Sequence, residues 1–260
     1  EDDGEDTHPD DDGDGILNRG LRSLLTTISY DSNVDNENQA RININGTVDF
    51  RSLSRAVGRT TAEFIEFCQT GGKKFTHPSE LLNMSYTSSG SGSSRGRGRG
   101  GSGGSETRQS PVKSAGDLAR VLDKLTISSS KVVWGGGINV NTASSEALLA
   151  VLGGDNADLV DRIVSIRADL TPEEKATTAW LYANDLVGAD KFKSIAPLLT
   201  ARGFQYRIQV VGYGINSGRY CVLEAIVDLA SATPRIVYLR DLTSLGMPFA
   251  LKNLQETTGD

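Results

Sequence analysis

The chain has 260 residues, of which 37% are hydrophobic and 23% are charged. This is enough apolar material for one large or two small domains, which excludes a wholly disordered chain. No run reaches the ~18 consecutive apolar residues of a membrane helix, and the start of the chain lacks the basic-then-apolar pattern of a signal peptide. The composition therefore predicts a soluble, folded fragment.

The charge is unevenly distributed along the chain. The net charge is −6, but nine of the 33 acidic residues lie within residues 1–15, where there is no lysine or arginine. A block of like charges repels itself and stays solvated, so we predict a disordered acidic tail over residues 1–15.

The next segment has helical periodicity. Residues 16–30 place apolar side chains on one face of a helix, or of a helix that runs into a strand. After a polar loop, the pentapeptide RININ (residues 41–45) leads into a helical stretch over about residues 48–69, which Gly71-Gly72 ends with a left-handed cap. His77-Pro78-Ser79 then opens a short helix.

A low-complexity run, TSSGSGSSRGRGRGGSGGS, follows at residues 87–105. Glycine and serine give the backbone freedom and offer nothing to bury, so this run predicts a flexible linker or a long exposed loop. Its Arg95, Arg97 and Arg99 are each flanked by glycine, as in segments that contact RNA backbones. Because no aromatic side chain accompanies them, we favour a plain linker.

Helical signals return after the linker. Residues 115–125 form an amphipathic pattern, and INVN at residues 138–141 leads into a helix for which Asn141 or Thr142 is the predicted N-cap. Gly153-Gly154 ends that helix, and a second one covers residues 157–167. The last helical signals are a capping box at residues 171–174 and a further short helical segment over residues 185–199.

From Phe204 the hydrophobic period changes to two, which is typical of half-buried strands. Strands are expected at residues 204–210, 220–229 and 235–239, and their short connections favour an antiparallel meander. The fold class is therefore α+β. The predicted segments are an acidic tail (1–15), a first helical repeat (16–86), a Gly/Ser/Arg linker (87–110), a second helical repeat (111–203), a β meander (204–247) and a C-terminal tail (248–260).

The two helical regions resemble each other. RININ at residues 41–45 and GINVN at residues 137–141 are 96 residues apart, and each feeds a helix, a glycine-containing break and a second helix. A coincidence between two helical hairpins remains an alternative for the first copy.

A known family shares these features. Residues 137–167 (GINVNTASSEALLAVLGGDNADLVDRIVSIR) resemble the helix-hairpin-helix or SAM-like repeat of general secretion pathway protein K, the large minor pseudopilin of bacterial type II secretion. The likeness continues, in the family's order, through YDSNVDNENQARININ (30–45), FTHPSELL (75–82), LLTAR (198–202), YRIQVVG (206–212) and LRDLTSLG (239–246).

The resemblance implies a non-enzymatic assembly subunit at the tip of the pseudopilus, in a complex with other minor pseudopilins. It implies two SAM-like repeats inserted into a pilin-like sheet, in a periplasmic domain held at the bacterial inner membrane by an N-terminal apolar helix. No such helix or prepilin leader precedes Ile16 in this chain. Residues 75–84 and the apolar face of the sheet are expected to contact other subunits.

Helix-hairpin-helix units also bind nucleic acid, which gives an alternative function. Such hairpins usually present a Gly-x-Gly pattern to a phosphate, with lysine or arginine nearby. Here Asp155 replaces the second glycine, and Asp158 adds another negative charge. Because phosphate contacts dominate nucleic-acid affinity, we treat nucleic acid as the less favoured partner.

The remaining candidate site is a calcium loop. Asp31, Asn33 and Asp35 have the alternate-oxygen spacing that opens such a loop, but the twelfth position, where an EF-hand has a bidentate glutamate, is Ile42. We favour a solvated Asn/Asp turn, while calcium binding among pseudopilins of this family keeps calcium as a candidate ligand.

No catalytic motif or His/Cys metal cluster appears in the sequence, so no enzyme is expected. The two cysteines, Cys68 and Cys221, could pair in an oxidising compartment or stay apart as small buried side chains.

Overall fold

The computed structural model describes residues 29–88, 105–134, 137–214, 217–230 and 233–245. The predicted acidic tail (1–15) and C-terminal tail (248–260) lie outside these residues, as do Arg95, Arg97, Arg99 and the predicted helical segment up to residue 28.

The described residues form a mixed α+β fold in two compact units, one up to Arg202 (the helical unit) and one from Gly203 onward (the sheet unit). No described helix is long and apolar enough to cross a membrane. The helices of the helical unit are α1 (Phe50–Val57), α2 (Arg59–Thr70), α3 (Ala115–Lys124), α4 (Ser145–Leu152), α5 (Ala157–Asp169), α6 (Trp180–Ala183) and α7 (Ala189–Ile195). Its strands are β1 (Tyr30–Asp31), β2 (Ile42–Asn43), β3 (Ser85–Ser88), β4 (Glu106–Gln109), β5 (Leu125–Thr126), β6 (Val133–Trp134), β7 (Ile138–Asn139) and β8 (Leu199–Thr200).

The helical unit contains two segments of matching geometry. β2 pairs in parallel with β5, and β7 pairs in parallel with β8. Beyond each pair one more hydrogen bond forms, from the Ile44 N–H to the Thr126 carbonyl and from the Val140 N–H to the Thr200 carbonyl, both at 2.9 Å. The two N-x-N sequences therefore occupy equivalent positions, each beside a Leu-Thr strand.

The asparagines of these segments do not cap the helices, so the predicted N-cap at Asn141 or Thr142 is wrong. Asp49 caps α1 by accepting from the Ser52 N–H, and Ser144 caps α4 by accepting from the Ala147 N–H. Four residues (46–49) separate Asn45 from α1, and three residues (142–144) separate Asn141 from α4, which moves the capping position along the chain.

Asn141 instead cross-links three segments of the chain. Its Nδ2 donates to the carbonyls of Lys175 and Ala201, both at 2.8 Å, and its Oδ1 accepts from the Trp180 Nε1–H at 3.1 Å. Asn45, at the matching position, joins only one distant residue: its Oδ1 accepts from the Phe75 N–H and its Nδ2 donates to the Phe75 carbonyl.

A glycine separates the two helices in each segment. Gly58 follows α1 with φ of 86°, and Gly153 follows α4 with φ of 93°. This backbone conformation is costly for a residue with a Cβ atom, which explains glycine at both breaks. The helical stretch predicted over residues 48–69 is consequently two helices, α1 and α2.

The predicted linker is shorter than expected at both ends. β3 and β4 pair as an antiparallel hairpin, from Ser85 opposite Gln109 to Ser88 opposite Glu106. The predicted linker (87–110) therefore begins within β3 and ends one residue beyond β4, and the segments on its two sides belong to one compact unit. Residues 89–104 lie outside the described residues.

The capping box at Thr171 is present but starts only a short turn. The Thr171 N–H donates to Glu174 Oε2 at 2.8 Å, and the Glu174 N–H donates to Thr171 Oγ1 at 3.3 Å. The turn that follows, Glu174–Ala176, is 3-10 and three residues long, so the helix expected here does not form.

The sheet unit contains the three predicted strands. They are β9 (Gln205–Tyr213), β10 (Tyr220–Asp228) and β11 (Arg235–Asp241), in the spatial order β11-β10-β9 with both pairs antiparallel. The antiparallel meander is thus observed over these residues. A 3-10 turn at Thr243–Leu245 follows β11.

Candidate interaction surface

One face of the three-stranded sheet is apolar and exposed. The register places Val210 opposite Leu223, and Ala225 opposite both Ile208 and Leu239. Side chains alternate between the faces of a strand, so all of these residues share one side of the sheet. We call this side the apolar face; its six large side chains are 37–64% exposed and belong to Tyr206, Ile208, Val210, Leu223, Ile236 and Leu239.

The opposite face carries both polar and apolar residues. Glu224 and Asp228 of the central strand are buried, at 4% and 7% exposure. Gln209 Nε2 donates to Glu224 Oε2 at 3.0 Å, and Gln205 Nε2 donates to Asp228 Oδ1 at 3.3 Å. The buried side of the central strand therefore combines two carboxylates with the buried Val222 and Ile226, while the large apolar side chains of the other face are exposed.

This arrangement corrects one expectation from the sequence. The two-residue period correctly located the strands, but it suggested that the apolar side chains of β9 would be the buried ones. Tyr206, Ile208 and Val210 are instead 44–55% exposed. A contiguous apolar patch with a polar reverse side is typical of an interaction surface.

The apolar side chains of the second predicted contact region, residues 75–84, are buried or packed against the core, whereas Thr76 and Asn83 are exposed. Phe75 is 3% exposed, and Leu81 and Leu82 are fully buried in the core of the helical unit, with Met84 packed against it. The apolar side chains that would have met a partner fill the interior instead. The prediction that residues 75–84 contact other subunits is wrong for these side chains.

His77 has a structural role in this region. Its Nδ1 accepts from the Ser79 N–H at 3.2 Å at the start of the 3-10 turn Pro78–Leu81. Burial lowers the pKa of His77 to about 4, and the nearby Glu80 carboxylate only partly opposes this. The imidazole therefore stays neutral at pH 7 and accepts the hydrogen bond.

The three residues of the predicted calcium loop are held by other partners. Asp31 Oδ1 accepts from the Asn33 N–H at 2.7 Å, and its Oδ2 pairs with Arg41 at 3.2 Å. Asp35 is 5% exposed; its Oδ1 accepts from the N–H groups of Glu37 and Gln39, at 2.9 and 2.7 Å. Asn33 and Asp35 are therefore buried and cross-linked rather than solvated, while residues 36–40 are exposed.

Lys124 completes the neutralisation of Asp35. Its Nζ lies 2.8 Å from Asp35 Oδ2 and 2.9 Å from Glu37 Oε2. Burial by itself would raise the pKa of Asp35, but the hydrogen bonds from Lys124 and from the loop amides hold it below its ordinary value. The hydrogen bond to Asp35 raises the pKa of Lys124. Sequence spacing could not reveal this cation, which lies 89 residues away in the chain.

Asn33 lies in the same turn with a positive φ of 53°. Its Nδ2 donates to the Ser130 carbonyl at 2.7 Å, whereas its buried Oδ1 has no hydrogen-bond partner among the described residues. In the described part of the chain no three His, Cys, Asp or Glu side chains are placed to hold a metal ion together. Calcium binding by Asp31, Asn33 and Asp35 stays a prediction.

The hairpin between α4 and α5 has an unfavourable charge for phosphate. A 3-10 turn, Gly154–Asn156, joins the helices, and Asp155 and Asp158 are both exposed beside the start of α5. Asn156 Nδ2 bonds the Leu152 carbonyl at 2.6 Å, so its amide closes the preceding helix. Two carboxylates at a helix N-terminus compete with an anion for the same amides.

A shallow cavity of ≈ 330 Å³ lies between α3 and α6. Its lining includes the alanines 115, 119 and 183, Trp180, and charged residues of both signs, among them Arg120 and Glu173. This mixture selects no particular class of ligand.

The two cysteines do not form a disulfide. Cys68 is buried in the helical unit and Cys221 is exposed on β10 of the sheet unit. Burial raises the pKa of the Cys68 thiol to about 11, so this side chain behaves as a small core residue.

No protein-family model, curated protein or solved structure matches this chain. Among the described features, the apolar face of the sheet unit points most directly to a function, because exposed apolar patches mark interaction sites.

Proposed function

We propose that this chain is a non-enzymatic assembly subunit: the folded periplasmic part of a minor pseudopilin similar to general secretion pathway protein K, at the tip of the type II secretion pseudopilus. The single observation that carries the proposal is the exposed apolar face of the sheet unit, which contrasts with the buried central strand on its reverse side. In an enzyme we would expect several polar side chains to meet in a cleft, whereas an assembly subunit needs an apolar surface that neighbouring subunits can bind.

The geometry of the helical unit supports the finer fold that the resemblance implies. Two segments repeat a parallel strand pair, a helix, a positive-φ glycine and a second helix. We propose that they are two SAM-like, helix-hairpin-helix repeats, and that β9, β10 and β11 form the pilin-like sheet. The repeats would then supply bulk at the tip, and the sheet would supply the assembly surface.

The dimensions of the apolar face favour a helix as its occupant. Strands lie ~4.8 Å apart and rise ~3.3 Å per residue, so the outer strands are about 10 Å apart and the face is about 30 Å long. An α-helix is ~10 Å wide with its side chains, and about 20 residues span 30 Å. Under the proposal, an apolar helix of the assembled pseudopilus covers the face.

The experiment compares substitutions on the two sides of one strand. The double variant Ile236→Lys/Leu239→Lys places two charges on the apolar face, at positions 64% and 62% exposed. Tyr238→Lys is the matched control, because Tyr238 lies between them on β11, opposite Ile226 on the other face. Each protein is mixed with the periplasmic domains of the other minor pseudopilins of the same bacterium and studied by sedimentation velocity.

The proposal expects the wild type and Tyr238→Lys to join a complex at micromolar concentration. The double variant should bind at least tenfold more weakly, because charged residues are poorly tolerated at the core of an interface. A wild-type chain that binds none of these domains would overturn the proposal, as would equal loss of binding in the variant and the control.

A further inference from the structure

The two edges of the sheet unit differ in how well they are protected against pairing with another strand. β11 is seven residues long, begins after Pro234, and contains a register shift that leaves Val237 as an extra residue opposite β10. Its ends carry Arg235, Arg240 and Asp241. A proline, a bulge and charged residues are the features by which proteins discourage pairing at an edge strand.

β9 has none of these features in its central part. It is nine residues long and pairs with β10 in one unbroken register, from Gln205 opposite Asp228 to Tyr213 opposite Tyr220. Among the described residues, β10 is the one strand that pairs with it. Its sequence, QYRIQVVGY, has no proline and a single charged residue, Arg207. A long, regular edge of this kind is a template for strand addition.

The sequence of β9 is also complementary to itself. In an antiparallel pair of two β9 strands centred on Gln209, each Gln209 faces its copy, and Ile208 faces Val210 of the other chain. Arg207 faces Val211, so the arginines of the two chains are never directly opposite. Like charges directly opposite are destabilising in antiparallel pairs, whereas apolar and β-branched pairs are favourable.

Such pairing would keep every side chain on its present side. The half-exposed Ile208 and Val210 would gain apolar cross-strand neighbours from the second chain, and the apolar faces of the two chains would become one continuous surface. A two-fold axis relates the two chains, so the contact closes at two copies and leaves β11 at each end of a six-stranded sheet.

We propose that β9 is a homodimerisation edge, at which a second copy of this chain adds by antiparallel β9–β9 pairing centred on Gln209. This inference goes beyond the assembly function and is independent of it, because it concerns the purified chain without any other subunit.

The experiment uses sedimentation equilibrium of the full chain and four charge variants. Two are placed on β9, Ile208→Lys/Val210→Lys and Ile208→Glu/Val210→Glu; each puts like charges opposite one another in the symmetric pair. Two are placed on β11, Ile236→Lys/Leu239→Lys and Ile236→Glu/Leu239→Glu, on the same apolar face and at least as exposed. The β11 double variants therefore introduce the same charges as the β9 double variants and differ from them in the edge strand that carries the charges.

The proposal expects a concentration-dependent dimer for the wild type and for both β11 variants. Each β9 variant alone should have a dimer dissociation constant raised at least tenfold, and an equal mixture of the lysine and glutamate β9 variants should recover the dimer. Recovery excludes unfolding as the cause of the loss. A wild type that stays monomeric would overturn the proposal. Loss of the dimer in the β11 variants as well would also overturn it, because it would show that the chains meet face to face.

Discussion

The helical unit and the sheet unit differ in the exposure of their large apolar side chains. Leu81, Leu118 and Phe192 of the helical unit are fully buried, whereas Ile236 and Leu239 of the sheet unit are 64% and 62% exposed. Helices that pack on several sides enclose a core, but a single layer of three strands has two faces to cover. The difference is that the helical unit encloses its large apolar side chains, while the sheet unit leaves those of one face exposed.

The largest effect should come from opening the core of the helical unit. Leu81→Ala removes a side chain with no exposed surface and leaves a cavity, so we expect the free energy of unfolding to fall by about 4 kcal/mol. Urea denaturation followed by tryptophan fluorescence measures this, because both tryptophans precede Arg202. A loss below about 1 kcal/mol would contradict the tight core that the comparison assumes.

The next effect concerns the polar cross-links that hold the helical unit together. Asn141→Ala leaves the carbonyls of Lys175 and Ala201 and the N–H of Trp180 without this partner, so we expect a loss of about 3 kcal/mol. Asn45→Ala affects only the two backbone groups of Phe75 and should cost about 1–2 kcal/mol. The same denaturation experiment tests whether Asn141→Ala loses more free energy of unfolding than Asn45→Ala. Equal losses would mean that the segment around Asn141 is not more strongly cross-linked than the segment around Asn45.

A smaller, pH-dependent effect should arise from His77. Its pKa in the folded chain, about 4, lies below the ordinary value of 6.5 because the ring is buried. Stability due to the neutral ring is therefore complete above pH 6.5 and is lost as the pH falls toward 4, with a slope of up to ~1.4 kcal/mol per pH unit.

The variant His77→Asn isolates this effect, because asparagine is a good N-cap that does not titrate. We expect its free energy of unfolding to change less than that of the wild type between pH 6.5 and 4.5. Burial by itself would raise the pKa of Glu80, but its hydrogen bond with Lys73 is the main reason that this pKa is lowered to about 2. Glu80 in the folded chain therefore titrates below this pH window. Identical pH profiles in the two proteins would rule out the role assigned to His77.

The smallest effect on stability should come from the apolar face. Ile236→Ala changes a side chain that is mostly in water, so the free energy of unfolding should change by less than about 0.5 kcal/mol. Thermal unfolding monitored by far-ultraviolet circular dichroism measures this for the sheet. A loss comparable to that of Leu81→Ala would mean that the face is covered within the chain.

Local patterns in the sequence predicted much of the fold. The period of 3.6 located α3 and α5, the period of two located β9, β10 and β11, and the paired N-x-N sequences identified two related segments. These local patterns are informative because the spacing of apolar residues reflects which side of a helix or strand is apolar. The helix breaks can be located because their positive φ favours glycine.

Features that depend on distant partners were not predictable in this way. Lys124 neutralises Asp35 across 89 residues, and Asn141 reaches Ala201 across 60. Likewise, alternation shows that a strand has an apolar side but not whether that side is covered, so the exposure of Ile208 and the burial of Glu224 emerged only from the structure. The resemblance made residues 75–84 an expected contact region, although tertiary packing places Phe75, Leu81 and Leu82 in the core.

The most direct test of the proposed function is the affinity of the chain for the periplasmic domains of the minor pseudopilins that we propose as its partners. Sedimentation velocity measures this affinity for the wild type, Ile236→Lys/Leu239→Lys and Tyr238→Lys. The account predicts a complex with the wild type and Tyr238→Lys, and at least tenfold weaker binding by the double variant at unchanged stability. A double variant that binds as tightly as the wild type would contradict the claim that the apolar face of the sheet is the assembly surface.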